Sequence, residues 1–149
     1  ALLIKNENKI SPSEGAIISK KALKYNEKSA YLWASLGSFS YRAGDKDSAL
    51  SAFKKALSIK KNLKNALTGL AYAAYDSGDY KTAENSFKKV IKEDSKHVPA
   101  LFGLALVYQK TGRYDLAERQ WEEFLRLSPS GPWAEKARKN LENIKKTLK

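Results

Sequence analysis

The fold is decided by the stretch WASLGSFSYRAGDKDSALSAFKKAL, which occupies residues 33–57. Its pattern returns twice, each time 34 residues further along the chain. This period predicts a stack of helical units, because one such unit cannot bury its apolar face alone. A stack of this kind offers an extended surface, so the repeat favours a binding module over a catalytic pocket. The positions in register are Gly44/Gly78/Gly112, Leu36/Leu70/Leu104, Ala49/Ala83/Ala117 and Phe53/Phe87/Trp121.

Each unit is predicted to be a pair of helices. In the first unit, apolar and small residues recur at steps of three and four from about Ser29 to Ala43, which is the spacing of one helical face. Gly44 can adopt the left-handed conformation that closes a helix, and Asp45 can cap the next helix. Phe53 lies on the buried face of that second helix. The unit is therefore an antiparallel helical hairpin.

These residues resemble the signature of the tetratricopeptide repeat (TPR) family, which the second and third units repeat. The third unit alone keeps the family's closing proline, Pro129, whereas Lys61 and Ser95 occupy that place in the first two. The resemblance implies an all-α fold, a right-handed superhelical solenoid of antiparallel helical hairpins. The matching positions of the first unit are Trp33-x2-Leu36-Gly37, Tyr41, Gly44-Asp45, Ala49, Phe53 and Ala56-Leu57.

The chain is predicted to be a single TPR domain over 1–149. A capping box at Ser11-Pro12-Ser13-Glu14 predicts the second helix of a partial repeat, with Ala1 to Lys9 as the remnant of its first helix. Because the sequence starts at Ala1 and contains no methionine, we expect processing or excision from a longer protein. The predicted parts are a partial repeat at 1–29, repeats at 30–63, 64–97 and 98–131, and a capping helix at 132–149.

The last predicted helix carries one narrow apolar stripe. Such a helix caps a solenoid by covering the third repeat with one face and meeting water with the other. The same spacing also fits a coiled-coil seam. The stripe consists of Ala134, Ala137, Leu141, Ile144 and Leu148.

The family resemblance implies a partner-binding groove on the first helices, at positions 2, 5, 9, 12 and 13 of each repeat. We expect Tyr72 and Phe102 to face a ligand, whereas Tyr41 and Tyr75 could instead pack against the neighbouring repeat. Trp33, Phe53, Phe87 and Trp121 are predicted to be core. The candidate groove residues are Tyr31, Ser38, Tyr41, Arg42, Thr68, Tyr72, Tyr75, Phe102, Leu106 and Gln109.

One known mode of TPR recognition is not expected. Chaperone-binding members of the family hold a terminal carboxylate with lysine and asparagine at positions 5 and 9 of the first repeat. Ala34 and Ser38 stand there in this chain and cannot do so. An aromatic groove fits an extended or helical apolar segment better.

The net charge of +12 is concentrated towards the two ends of the chain. Basic patches attract phosphate or anionic lipid headgroups. Lysine-rich outer helices can equally be a solvated face that keeps the protein soluble, and we favour this interpretation. The candidate basic surface consists of Lys54, Lys55, Lys88, Lys89, Lys136, Arg138 and Lys139.

No catalytic constellation is evident, so we expect no enzyme, metal or cofactor. The chain has no cysteine, and its single histidine, His97, stands in a predicted loop without a second histidine to complete a metal site. The glycines do not form a phosphate-binding run.

The sequence thus predicts a noncatalytic scaffold or adaptor that binds a peptide segment of a partner protein within a larger assembly. One alternative is an oligomerisation module that stacks with other copies. Another is a basic surface that binds nucleic acid or an anionic membrane. No small-molecule substrate is expected. The closing segment around Gly131-Pro132 is similar to that of bacterial cell-envelope TPR proteins, so we expect either the periplasmic side of the envelope or the cytoplasm.

Overall fold

The structure is a computed structural model that describes residues 9–149, and these residues contain eight α-helices and no strand. The all-α prediction is confirmed. The predicted remnant helix at the N-terminus falls almost entirely on residues 1–8, which lie outside the described residues. The helices are α1 (Pro12–Leu23), α2 (Ala30–Arg42), α3 (Lys46–Ile59), α4 (Lys64–Asp76), α5 (Tyr80–Glu93), α6 (Val98–Lys110), α7 (Tyr114–Leu127) and α8 (Pro132–Leu148).

Helix α1 begins with the predicted capping box. The backbone N–H of Glu14 donates to Ser11 Oγ at 3.2 Å, and the N–H of Ser11 donates to Glu14 Oε2 at 2.9 Å. Two backbone donors are thereby satisfied at the helix start, and Pro12 occupies a position where its missing N–H costs nothing.

The turns after α2, α4 and α6 depend on glycine. Gly44, Gly78 and Gly112 have φ of 86°, 83° and 77°, and no atom beyond the adjacent residues lies within 4 Å of where a Cβ would stand. The backbone conformation, rather than lack of space, therefore selects glycine. After the first two turns, Asp45 and Asp79 accept hydrogen bonds from the N–H of Ser48 and Thr82, at 3.1 and 3.2 Å.

The chain divides into two compact units, one ending at Ala73 and the other running from Ala74 to Lys149, so that the boundary falls within α4. In the first unit α2 packs against both α1 and α3. Phe53 is buried at its centre, and a Cβ on Gly37 or Gly69 would come closer than 3.0 Å to the Phe53 ring. Small residues thus let the helices close around one aromatic side chain.

Trp33 is less buried than predicted. It packs against both apolar clusters of the first unit and remains half-buried, and its indole N–H donates to the carbonyl oxygen of Glu27 at 2.8 Å. The predicted burial of the other three aromatic residues is confirmed, with Phe53, Phe87 and Trp121 at 1%, 0% and 0% exposure.

In the second unit α6 packs against α5 and α7, and α7 packs against α8. Gly103 gives Phe87 the space that Gly37 and Gly69 give Phe53, since a Cβ on Gly103 would collide with that ring. Helix α8 buries Ala134, Ala137 and Ile144, while Leu148 at its end is exposed. The apolar stripe of α8 therefore serves packing within this unit.

Candidate functional site

Each first helix carries one solvent-facing line of residues at repeat positions 2, 9 and 13. On α2 these are Tyr31, Ser38 and Arg42, all exposed. Their spacing of seven and four residues keeps them on one side of the helix. The corresponding residues are Asn65, Tyr72 and Asp76 on α4, and Pro99, Leu106 and Lys110 on α6, with Tyr72 and Leu106 half-buried and the rest exposed.

Position 5 of each repeat is buried, which corrects two predicted groove residues. Ala34 and Thr68 are each 8% exposed, and the Thr68 hydroxyl donates to the carbonyl oxygen of Lys64 in its own helix. Phe102 is 1% exposed, so the prediction that it faces a ligand is wrong.

Phe102 is buried because aromatic rings surround it. Its ring centroid lies 4.9 Å from that of Trp121, 5.1 Å from that of Phe124 and 4.6 Å from that of Trp133, all in edge-to-face geometry. Trp133 belongs to α8 and is itself 57% exposed. The terminal helix therefore covers a residue that the repeat pattern alone placed on the surface.

Tyr41 and Tyr75 stand at the edge of the core. Tyr41 is half-buried and packs against the apolar cluster around Phe53. Tyr75 is half-buried, and its ring lies 5.5 Å from that of Tyr80. Burial, followed by the neighbouring Tyr80 and Asp76, raises the pKa of the Tyr75 phenol. Both tyrosines thus combine packing with partial exposure.

Two further candidates are held by specific hydrogen bonds. Gln109 is half-buried, and its Oε1 accepts from the indole N–H of Trp121 at 3.1 Å. Tyr31 is 62% exposed, and its phenol oxygen accepts from Lys60 Nζ at 2.7 Å. Lys60 follows the end of α3, so this contact orients the Tyr31 ring across the first hairpin.

All seven candidate basic residues are exposed. Two of them, Lys88 and Arg138, also bond to groups within the second unit. Lys88 Nζ lies 2.6 Å from Glu84 Oε1, and Arg138 donates to the carbonyl oxygen of Pro129. Glu84 also accepts from Arg113, at 3.0 and 2.7 Å to its two oxygens. These hydrogen bonds, the one from Arg113 above all, lower the pKa of Glu84 from 4.5 to about 2.

His97 lies at the start of α6, and its Nδ1 is 3.8 Å from a carboxylate oxygen of Asp94. Within residues 9–149, no three or more histidine and acidic side chains cluster in a way that could hold a metal ion. Among the same residues, no helix has both the length and the apolar character needed to cross a membrane.

Sequence reasoning missed the role of Trp133. It stands 34 residues after Pro99, just as Ala134 and Ala137 follow Ala100 and Gly103 by one period. Extending the register past the third repeat would have placed α8 where the first helix of another repeat belongs. That signal would have predicted a large side chain close to Phe102.

Comparison with known proteins supports the repeat assignment. None of the curated proteins matches the chain significantly. The crystal structure of MamA is 18% identical and covers 91% of this chain and 87% of its own, with a TM-score of 0.74. The first TPR domain of Spaghetti (RPAP3), bound to an HSP90 peptide, is 18% identical and covers 80% of this chain and 94% of its own, with a TM-score of 0.73.

A third similar structure is YrrB, described as a TPR protein with an unusual peptide-binding site. It is 20% identical and covers 86% of this chain and 66% of its own, with a TM-score of 0.75. These similarities confirm an all-α solenoid of TPR hairpins. The model of the cytochrome c-type biogenesis protein H TPR domain matches residues 19–132. The chain belongs to this family of TPR domains.

Proposed function

We propose that this chain is a noncatalytic scaffold that binds a peptide segment of a partner protein through the exposed lines on α2 and α4. The name of its family suggests cytochrome c biogenesis as the setting. Two structurally similar TPR proteins are described by their peptide ligand or peptide-binding site, which supports the peptide-binding part of the proposal.

The observation that carries the proposal is the exposed line of α2 in the first unit. Tyr31, Ser38 and Arg42 lie along one side of the helix and are exposed. The Tyr31 phenol oxygen accepts a hydrogen bond from Lys60 Nζ. Tyrosine offers a large contact area with few rotatable bonds, so an oriented and exposed tyrosine is suited to anchor a ligand. Tyr72 takes the equivalent place on α4 and is half-buried.

The chemistry of these lines favours a segment with apolar side chains and few charges. Ser38 and Asn65 add neutral hydrogen-bonding groups to the two lines. Arg42 and Asp76 bring opposite charges to the ends of the two lines. The side chain of Ala34 is short and buried, so no ammonium group stands at position 5 to clamp a terminal carboxylate.

A double variant in the first unit tests the proposal. The parent chain, Tyr31→Ala/Tyr72→Ala and the control Tyr25→Ala are used to capture proteins from an extract of the native host. Tyr25 is 93% exposed and lies outside the two lines. Tyr25→Ala therefore controls for the loss of a surface tyrosine as such. The partner segment found with the parent is then synthesised, and its affinity is measured by fluorescence anisotropy.

We expect the double variant to weaken binding at least about tenfold, since exposed tyrosines are frequent hot spots, and Tyr25→Ala to change it less than about twofold. Circular dichroism establishes that all variants are folded. Equal affinity of the parent and the double variant would place the binding site elsewhere and contradict the proposal.

Self-association is the second candidate function, and one specific feature favours it. Helix α1 and the residue two positions before it expose Ile10 at 47% and Ile17 and Ile18 at 53% each. An apolar face of this kind is characteristic of an interaction surface. A second copy of the chain could cover it, as stacked repeats cover one another.

A further inference from the structure

An open groove of about 470 Å³ lies on the first unit, with α1 and α3 at its sides. Its apolar lining comes from Trp33 and Leu36 of α2 and Ala52 of α3. This volume falls within the roughly 300–1,000 Å³ of typical ligand sites. The groove is independent of the exposed line on α2, because Trp33 and Leu36 point to the side of that helix opposite Tyr31.

The floor of the groove is apolar and well fixed. Leu36 and Ala52 are 6% and 2% exposed and belong to one apolar cluster, against which Trp33 packs. The indole of Trp33 is half-buried, and its N–H donates to the carbonyl oxygen of Glu27 at 2.8 Å. An aromatic surface that is held in one orientation can receive an apolar side chain with little loss of entropy.

The sides of the groove are basic. Lys20 of α1 and Lys55 of α3 both line it, and neither forms an ion pair within the described part of the chain. The pKa of the Asp45 carboxyl is lowered mainly by hydrogen bonds from Ser48 and to a lesser extent by the charge of Lys20. Lys20 therefore lies near the N-terminal end of α3, and Lys55 lies further along the same helix.

The remaining lining defines what the groove can accept. Asp47 and two serine hydroxyls accompany the lysines, so the surface is mixed in charge and able to form hydrogen bonds. A ligand with negative charges alone would be repelled by Asp47 and would leave the apolar floor without an apolar partner. A ligand complementary to this surface has negative charge at its edges and one apolar group at its centre.

We propose that this groove is a second binding site, which takes a short acidic peptide segment carrying one large apolar side chain. The apolar side chain packs on Trp33, and carboxylates on either side of it pair with Lys20 and Lys55. Because this site and the exposed line on α2 occupy opposite sides of the helix, the first unit can hold two segments at once.

Three synthetic peptides of about ten residues provide the probes. The first has glutamates flanking one central phenylalanine, the second replaces that phenylalanine by glycine, and the third replaces the glutamates by lysines. Binding to the full chain is followed by two-dimensional ¹⁵N–¹H NMR. We expect the first peptide alone to shift the Trp33 indole N–H and the amides of Ser51 and Ala52, with an affinity at least tenfold above the other two.

Charge-reversal variants test the role of the two lysines. Lys20→Glu/Lys55→Glu is expected to weaken binding of the first peptide at least tenfold, and Lys20→Ala/Lys55→Ala to weaken it less. The control Lys89→Glu/Lys139→Glu changes the net charge by the same amount at exposed positions of the second unit and is expected to leave the affinity within about twofold. All variants are compared with the parent by circular dichroism.

Several results would overturn the proposal. One is the absence of shifts at millimolar peptide, and another is a set of shifts confined to the line of Tyr31 and Ser38. Equal weakening by the control pair would assign the affinity to net charge. The last measurement replaces the peptides by vesicles that contain phosphatidylglycerol. If these vesicles change the NMR signals of the groove residues as much as the first peptide or more, the ligand is an anionic lipid surface instead.

Discussion

Phe102 shows how strongly one side chain can determine the stability of a repeat. Its ring contacts Trp121, Phe124 and Trp133 in edge-to-face geometry, and such pairs contribute roughly 0.5–1.5 kcal/mol each beyond burial. Three helices, α6, α7 and α8, meet at this one residue. Removing the ring would leave a cavity that the fixed helices cannot close.

We predict that Phe102→Ala lowers the free energy of unfolding by about 3–5 kcal/mol, the range for loss of a fully buried aromatic side chain. Urea unfolding followed by tryptophan fluorescence and circular dichroism measures the change. Leu106→Ala, on the same helix but half-buried, is the control and should lose roughly 1 kcal/mol. Equal losses would contradict the burial of Phe102 beneath Trp133.

At the scale of residues, burial within a repeat could be predicted, but burial by a later element could not. The sequence predicts Phe53, Phe87 and Trp121 as core because each recurs in register on a second helix, and all three are buried. The surroundings of Phe102 depend on Trp133, which belongs to a helix that follows the three repeats. The repeat pattern also could not predict that Trp33 is only half-buried, because the exposure of Trp33 depends on how closely α1 and α3 approach it.

Helix α7 begins differently from the other second helices. Asp45 and Asp79 cap α3 and α5, but Arg113 takes this place before α7 and gives no side-chain cap. Arg113 instead donates to both carboxylate oxygens of Glu84 on α5. Lys88 also pairs with Glu84. Helix α7 therefore lacks a side-chain cap but is joined to α5 by charge-assisted hydrogen bonds.

We predict that Glu84→Gln destabilises the protein by roughly 1–2 kcal/mol at neutral pH, a moderate value because Arg113 is partly exposed to solvent. The folded pKa of Glu84 is lowered from 4.5 to about 2. Its stabilisation is therefore fully present above about pH 5 and is lost as the pH falls towards 2. The variant should lose less stability over this acid range than the parent.

Urea midpoints between pH 2 and pH 7 measure this difference. Glu123→Gln is the control, since Glu123 forms an exposed ion pair with Arg126 within one helix, and we expect a smaller effect from it. The assigned role of Glu84 would be wrong if the parent and Glu84→Gln declined in parallel on acidification.

At the scale of elements, local signals predicted the helices well. Gly44 and Gly78 end helices where expected, and Ser11 starts one, because caps and turns depend on neighbouring residues. The Glu84–Arg113 link joins residues 29 apart in the sequence, and no local pattern marks it. The groove beside Lys20 was missed for the same reason, since its two sides come from separate helices.

At the scale of the whole molecule, the repeat period predicted the family and the fold class, which depend on a regular pattern of many residues. It did not predict which surface remains apolar after folding. Ile17 and Ile18 of α1 are large and apolar, yet each is 53% exposed. The net charge of +12 opposes association of copies, so apolar contact must outweigh repulsion if the chain pairs with itself.

We predict that the chain self-associates through this face at concentrations of tens of micromolar and above, in a buffer of physiological ionic strength that screens the positive charges. Sedimentation velocity over a range of concentrations should show a rising average mass for the parent and a constant monomer mass for Ile17→Lys/Ile18→Lys. Leu116→Lys/Leu148→Lys adds the same two charges at apolar positions of the second unit that are 40% and 44% exposed, and it should behave like the parent. A parent mass that does not change with concentration would exclude self-association as the function of α1. If both double variants lost self-association equally, the loss would result from the added charge and not from the α1 face.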